Sequence, residues 1–276
     1  MSCACLLSID VDDFAIAACN LISGDDAPAS YRSHLTDEVL LTLKLLDRVR
    51  IQATFFINAQ YCLDNERIIE EIIKGGHIIA SHGLKHEDVL RMSLDKFRAD
   101  VHGSLEILRV YQKKIHGYRP PGFSMPYDDD HLTILKDCGF TYVSAGPSRT
   151  ECQVVKGQQP VNLSCGLIHV PISCYSFIGD KFLLPIGYGI TARFLPERLY
   201  LFFLQYWLRH YGFYHFYFHP FEVSGLNGET RAFIQRYFSN HLKLAIFGLR
   251  CQERFDYFSR ILSHGRFQSI ESFLGL

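Results

Sequence analysis

Short apolar runs alternate with amphipathic stretches through most of this sequence, and that alternation restricts the chain to parallel strands joined by helical crossovers. Residues 5–9 form an apolar run that ends in Asp10-Val11-Asp12-Asp13, the pattern of a buried strand with carboxylates at its C-terminal end. Residues 36–49 follow with Val39, Leu40, Leu43 and Leu46 at helical spacing and Thr36 as the expected N-cap. A second strand is expected at 52–57, a helix at 65–74 stopped by Gly75-Gly76, and a third strand at 77–80 that delivers Ser81 and His82. A long helix at 93–111 starts at Ser93, and Tyr118-Arg119-Pro120-Pro121-Gly122 breaks regular structure. Another helix at 128–138 ends at Gly139 before a strand at 140–143. Residues 146–171 have weak periodicity and read as an irregular excursion. The last part gives a helix at 196–211, an aromatic strand at 213–218 followed by His219-Pro220, a helix at 241–263 and a strand at 267–270. No repeat or linker interrupts the pattern, so residues 1–276 read as a single α/β domain with a closed or nearly closed parallel sheet.

Charge excludes one class of partner. The chain carries 28 basic and 29 acidic residues, a net charge of −1, with no long basic run, so nucleic acid is not an expected partner. The most apolar region, 195–221, is interrupted by Arg198, Arg209, His210 and Gly212 and supplies no unbroken transmembrane segment, although peripheral membrane contact is compatible with it. Nine cysteines, an odd number without CxxC pairs, read as reduced thiols. With no charged stretch followed by an apolar one at the N-terminus, a cytoplasmic address is expected.

Ionisable residues gather where three separate strands end: Asp10, Asp12 and Asp13; His82 and His86; and His219. In a parallel barrel all strand C-termini open on one face, so these groups meet at one mouth. His82 and His86 stand four apart, which on a helical turn puts both rings on one side. The competing reading is an exposed helix start with two incidental histidines. Two imidazoles and one carboxylate around a divalent metal leave room for water and a substrate oxygen, and such a metal acidifies bound water and polarises a carbonyl. Three carboxylates exceed the need of one ion, so a spare Asp is a candidate general base. Arg119, fixed by two prolines, is a candidate to orient that base, the N–H of Gly122 is a candidate oxyanion donor, and His219 is a candidate proton donor to a leaving amine. His77, beside glycines and ahead of an apolar strand, reads as structural.

Asp10-Val11-Asp12, His82-x-x-x-His86, Arg119-Pro120-Pro121-Gly122 and Phe218-His219-Pro220 occur in the order and spacing of the polysaccharide deacetylase family, the NodB-homology enzymes of carbohydrate esterase family 4. The sequence most resembles the branch whose first motif reads D-x-[DE]-D, and the resemblance runs from about Leu6 to Phe273. It implies a distorted (β/α)7-type barrel and metal-dependent removal of an N-acetyl group from an acetamido sugar. It also implies residue roles: Asp10 as base, Asp12, His82 and His86 as metal ligands with Asp13 as reserve ligand, Arg119 as the arginine that orients the base, and His219 as acid. Zinc is the implied metal, with cobalt or nickel as substitutes. The implied partner is an N-acetylated amino sugar glycan or its lipid- or nucleotide-linked precursor. The sequence departs from the family near residues 140–144, where an acidic residue common in related members is absent, and at Gly122, where many members carry a larger residue.

Two other classes use parts of the same pattern. A non-haem iron oxygenase also has two histidines and one carboxylate, but leaves Arg119 and His219 without a task. A catalytically silent sugar-binding protein of the same fold is expected to have lost Asp10 or His219, and both are present.

Overall fold

The computed structural model describes residues 3–16, 19, 31, 33–63, 65–146, 159–177, 182–226, 228–238 and 253–276. Its main sheet contains β1 (Ala4–Val11), β2 (Thr54–Ile57), β3 (Ile78–Ser81), β4 (Gly117–Tyr118), β5 (Tyr142–Ala145), β6 (Val161–Asn162) and β7 (Ile168–Pro171). A separate antiparallel hairpin of β8 (Tyr175–Phe177) and β9 (Phe182–Leu184) follows, then β10 (Phe213–Phe218) and β11 (Phe267–Gln268) complete the main sheet. The spatial order is β10-β1-β2-β3-β4-β5-β7-β6, with β11 beside the start of β1. Every neighbouring pair from β10 to β7 is parallel, and only β6 runs against its neighbour. Beyond β7 the chain reaches β10 through Ser173 N–H to His215 O (3.2 Å), Gly187 N–H to Ser173 O (2.8 Å) and Tyr217 N–H to Gly187 O (2.8 Å), so the sheet curls round almost to closure. This is the barrel-type architecture anticipated from the sequence.

Strand alternation divides the interior into two regions. Leu7, Ile9 and Val11 of β1 point outward into the layer beneath the helices, with Phe55, Ile57, Ile79 and Val143 from the neighbouring strands. The opposite face of β1 carries Leu6, Ser8 and Asp10, with Asp12 next in line. Leu6 joins Phe56, Ala80, Tyr142, Val170, Phe213 and Ile270 in a small apolar floor inside the curl. The inner face therefore passes from apolar at the floor to ionisable at the mouth.

Helices cover the outside by burying one face each. In the helix Glu66–Lys74 the isoleucines 68, 69 and 72 are buried, and each contributes roughly 1.5–3 kcal/mol by leaving water. The long helix Leu94–Tyr111 begins as expected at Ser93, whose hydroxyl accepts from Lys96 N–H, and Asp128 caps the helix Asp129–Asp137 by accepting from His131 N–H. The helix Leu35–Val49 starts one residue before Thr36, so Thr36 is not its cap; its hydroxyl donates to Asn65 instead.

The excursion at 146–171 is corrected in part. It contains β6 and β7, and β7 is a full member of the parallel sheet. Four residues between Gly166 and Ser173 are too few to stand out against loop composition, and strand character there comes from pairing with β5. Residues 147–158 lie outside the described residues, as do residues 239–252 of the helix expected at 241–263, whose described part is Phe255–Leu262. The final strand is shorter than 267–270, because Ser269 accepts from Ser272 N–H and turns the chain into the helix Ile270–Leu274. Among the described residues no helix is long and apolar enough to cross a membrane.

Gly117 illustrates how tightly the floor is packed: a Cβ there would lie 2.1 Å from Tyr142 Cζ. Tyr142 in turn donates to Glu271 of the last helix, which also accepts from Thr54. Gly117→Ala is therefore expected to lower stability by about 1–3 kcal/mol through overpacking. Urea unfolding measures it, and an unchanged midpoint would contradict this packing.

Candidate active site

At the mouth, Asp12 stands just beyond β1 and is 1% exposed. His82 directly follows β3, and a turn through Gly83 (φ 81°) leads to His86. The four-residue spacing does not act through a helical turn, as the sequence had suggested: residues 82–88 form a loop held by Asp100, which accepts from Leu84 N–H (3.0 Å) and Lys85 N–H (3.2 Å). The loop still brings both rings together, with centroids 5.2 Å apart.

Asp12 Oδ2 lies 3.0 Å from His86 Nε2 and 3.3 Å from His82 Nε2, and one ligand atom from each residue falls within 4.8 Å of the others. Both Asp12 oxygens are buried without a hydrogen bond of good geometry. Burial alone would raise the Asp12 pKa, but the charges of His86 and His82 hold it well below the usual carboxylate range. Burial depresses His82, yet Asp12 and Asp10 push it above its ordinary value. His82 Nδ1 donates to the Arg119 carbonyl at 2.7 Å, which leaves Nε2 as the nitrogen facing Asp12. One carboxylate and two imidazole nitrogens converging in a buried space form a donor set that fits a divalent cation.

Asp13 does not join this group. Its Oδ1 accepts from Ala15 N–H (2.9 Å) and Ile16 N–H (3.1 Å), and its Oδ2 from Ser33 (2.6 Å) and Tyr31 (3.2 Å). These bonds engage both oxygens in anchoring the chain that leaves β1.

Asp10 faces inward between this cluster and Arg119. Arg119 is fully buried; Nη1 donates to Asp10 Oδ1, Nη2 donates to Ser8 and Ser144 (both 2.8 Å), and the guanidinium lies 3.9 Å over the Phe56 ring. Asp10 Oδ2 is 4.0 Å from His82 Nε2. The loop that carries Arg119 continues through Gly122 and Phe123, both with φ of 57°, a left-handed conformation that glycine adopts readily and phenylalanine does not. Gly122 is exposed at the mouth, and the Phe123 ring packs 5.3 Å from Tyr217 and 5.8 Å from Tyr188.

His219 follows β10 and is 22% exposed, with Nε2 3.9 Å from Asp12 Oδ2. Its N–H and Nδ1 both meet Glu222 Oε2, at 2.8 and 3.2 Å. Burial would lower the His219 pKa, but the hydrogen bond and charge of Glu222, with Asp10 and Asp12, raise it to about 9. His77 lies apart, accepting from Ala53 N–H and pushed down to about 4 by burial, as befits a structural residue.

Glu222, Ser8 and Ser144 were not singled out from the sequence. Glu222 stands three residues after His219 at a helix start, the capping-box spacing, and Ser8 shares the inner face of β1 with Asp10 by simple alternation. Ser144 lies on β5, and its hydroxyl accepts from Arg119 Nη2.

Fold and cluster define a class: a curled parallel-sheet α/β protein with a two-histidine, one-carboxylate group at the C-terminal ends of its strands. The sequence profile of the polysaccharide deacetylase family matches residues 21–143. The chain is 30% identical over 142 residues to chitin deacetylase 1 of Saccharomyces cerevisiae, across 50% of this chain and 42% of that protein. A solved structure from Mycobacterium smegmatis, assigned as a polysaccharide deacetylase, superposes with a TM-score of 0.59 at 22% identity over 96% of this chain and 90% of its own. A mutant of a Bacillus anthracis pseudoenzyme of carbohydrate esterase family 4, with restored activity, superposes at 0.53 and 13% identity over 99% of this chain and 68% of its own. The chain spans less than half the length of the curated relatives it matches. The resemblance to the polysaccharide deacetylase family is borne out, and the barrel-type fold with it.

The cluster makes a prediction about pH. Without metal, the raised pKa of His82 contributes stability that is present below its ordinary value of 6.5 and is lost as pH rises through the folded-state value. A divalent cation replaces that proton, so the rise in melting temperature on adding zinc is expected to grow as pH increases from about 6 to about 8. Thermal scans with and without chelator measure it, and a zinc effect independent of pH would count against the cluster as the binding site.

Proposed function

We propose that this protein is a metal-dependent N-deacetylase, a hydrolase that releases acetate from an N-acetylated amino sugar in a glycan or in its lipid- or nucleotide-linked precursor. The observation that carries this reading is the buried Asp12 carboxylate, without a good hydrogen bond, beside His82 and His86 and 3.9 Å from His219, with Asp10 4.0 Å from His82. The family match supports the reaction class, and the name of the yeast relative supports an N-acetylglucosamine polymer as the substrate class.

Asp12, His82 and His86 would hold the cation, with zinc the proposed native metal and cobalt or nickel as active substitutes. When bound, the cation supplies Lewis acidity to the amide carbonyl and lowers the pKa of water. Asp10, fixed by Arg119, takes the proton from the attacking water. The N–H of Gly122 is the proposed donor to the oxygen that gains charge as the carbonyl carbon becomes tetrahedral. His219, kept protonated by Glu222, gives a proton to the amine nitrogen as its bond to carbon breaks, so the products are acetate and the free amino sugar. Asp13 serves the fold around β1 and is left out of the ligand set. We read residues 1–276 as one catalytic unit and propose a cytoplasmic address, which the odd number of cysteines without CxxC pairs supports.

The iron-oxygenase reading fails to employ the Asp10–Arg119 pair and His219, and a silent sugar-binding role leaves the preserved base and acid unexplained.

An acetate-release assay across chitin oligosaccharides, peptidoglycan fragments and nucleotide-linked N-acetylated sugars tests the proposal. Activity is expected to disappear with chelator and return with zinc; turnover in metal-free protein would refute it. Asp10→Asn is expected to keep bound metal and lose at least about 100-fold in kcat, the scale of general-base assistance. Loss of metal in that variant would make Asp10 a ligand. Because His219 must be protonated, kcat falls as pH rises through its pKa, and Glu222→Gln, which removes the largest influence raising that pKa, is expected to move this alkaline limb to lower pH. A pH–rate profile checks the direction.

A further inference from the structure

The groups that hold Arg119 form a hydrogen-bond chain whose proton directions are fixed from its far end. The carbonyl oxygen of Pro171, at the end of β7, lies 3.0 Å from His215 Nδ1. A carbonyl only accepts, so His215 carries a proton on Nδ1. In the neutral ring Nε2 is then a bare acceptor, and it lies 2.8 Å from Ser8 Oγ. Ser8 accordingly donates its hydroxyl proton to His215, and its lone pairs face the guanidinium, whose Nη2 donates to Ser8 Oγ. Turned round, the Ser8 proton would point at an N–H of Arg119, donor against donor. Ser8, His215 and Arg119 are all fully buried, so solvent does not offer a substitute partner. Burial and the neighbouring guanidinium also disfavour a charged His215, whose pKa lies well below the usual histidine range.

We propose that His215 is a positioning residue: held as the Nδ1–H tautomer, it sets the direction of the Ser8 hydroxyl, and Ser8 with Ser144 then presents the guanidinium of Arg119 to Asp10. The proposal rests on the reading of Asp10 as base. A second carboxylate on Arg119 would share its charge with Asp10, whereas the Ser8–His215 chain and Ser144 are neutral. Among the described residues Asp10 is the anion bonded to this guanidinium.

Two measurements test this, one of them independent of turnover. In histidine-labelled wild-type protein, nitrogen NMR is expected to show His215 with Nδ1 protonated and Nε2 bare from about pH 5 to about pH 9, across the range where an ordinary histidine titrates. An Nε2–H tautomer, or titration within that range, overturns the proposal whether or not the protein deacetylates sugars. In kinetics, His215→Leu removes the acceptor and is expected to lower kcat by about 10–100-fold, the scale of a small misplacement of a catalytic group, with KM and metal content unchanged. His215→Gln, whose amide oxygen can reach the place of Nε2, is expected to recover most of that loss. Wild-type kcat in the leucine variant, or no recovery with glutamine, contradicts the assignment; the NMR result decides alone if either variant fails to fold.

Discussion

A guanidinium buried inside a curled sheet is the constraint on which the rest of this interior depends. Taking such a charge out of water costs several kcal/mol unless counter-charge and hydrogen bonds surround it. Here Asp10 supplies the charge, Ser8 and Ser144 supply acceptors, and the ring of Phe56 covers one face. The backbone of the same residue reaches the other half of the site, because the Arg119 carbonyl fixes the ring of His82. One residue thus couples the pair that would move a proton to the cluster that would hold a metal, and Pro120-Pro121 limits how far it can shift.

The barrel makes this arrangement affordable by grading its inner face. Leu6, Phe56, Ala80, Tyr142, Val170, Phe213 and Ile270 close the floor, a neutral polar layer of Ser8, Ser144 and His215 lies above it, and charged groups stand at the open end. Removing one partner from the Arg119 layer would strand a buried charge, which generally costs more than the pair itself gains. The same gradient explains the orphaned oxygens of Asp12. A carboxylate buried beside two imidazoles is a poor component of a resting core and a good component of a cation site.

Much of this could be read from the sequence because strand ends in parallel sheets collect ligands. Asp10, Asp12, His82 and His219 each follow a short apolar run, and the structure brings those four places together at one mouth. Less legible were groups whose importance lies in what they touch. Ser8 and Ser144 are ordinary strand residues until Arg119 arrives between them, and His215, within an aromatic strand, looks like core until its two nitrogens are matched to Ser8 and Pro171. β7 was hidden for a related reason, since four residues take strand form by pairing rather than by their own pattern. The His82–His86 spacing pointed to two rings that the structure brings together, but it does so through a loop anchored by Asp100 rather than a helical turn. Asp13 is engaged by Ser33 and Tyr31, about twenty residues away in sequence, an anchoring that no local pattern reveals.

The central claim is that Asp12, His82 and His86 together hold a divalent cation. Anomalous diffraction at the zinc edge from crystals grown with zinc tests it most directly. The account predicts one ion at the mouth, bonded by Nε2 of both histidines and a carboxylate oxygen of Asp12 at about 2.0–2.2 Å, with Asp13 still held by Ser33 and Tyr31. An ion held by Asp13 in place of Asp12, or no ion at the mouth at saturating zinc, would contradict it.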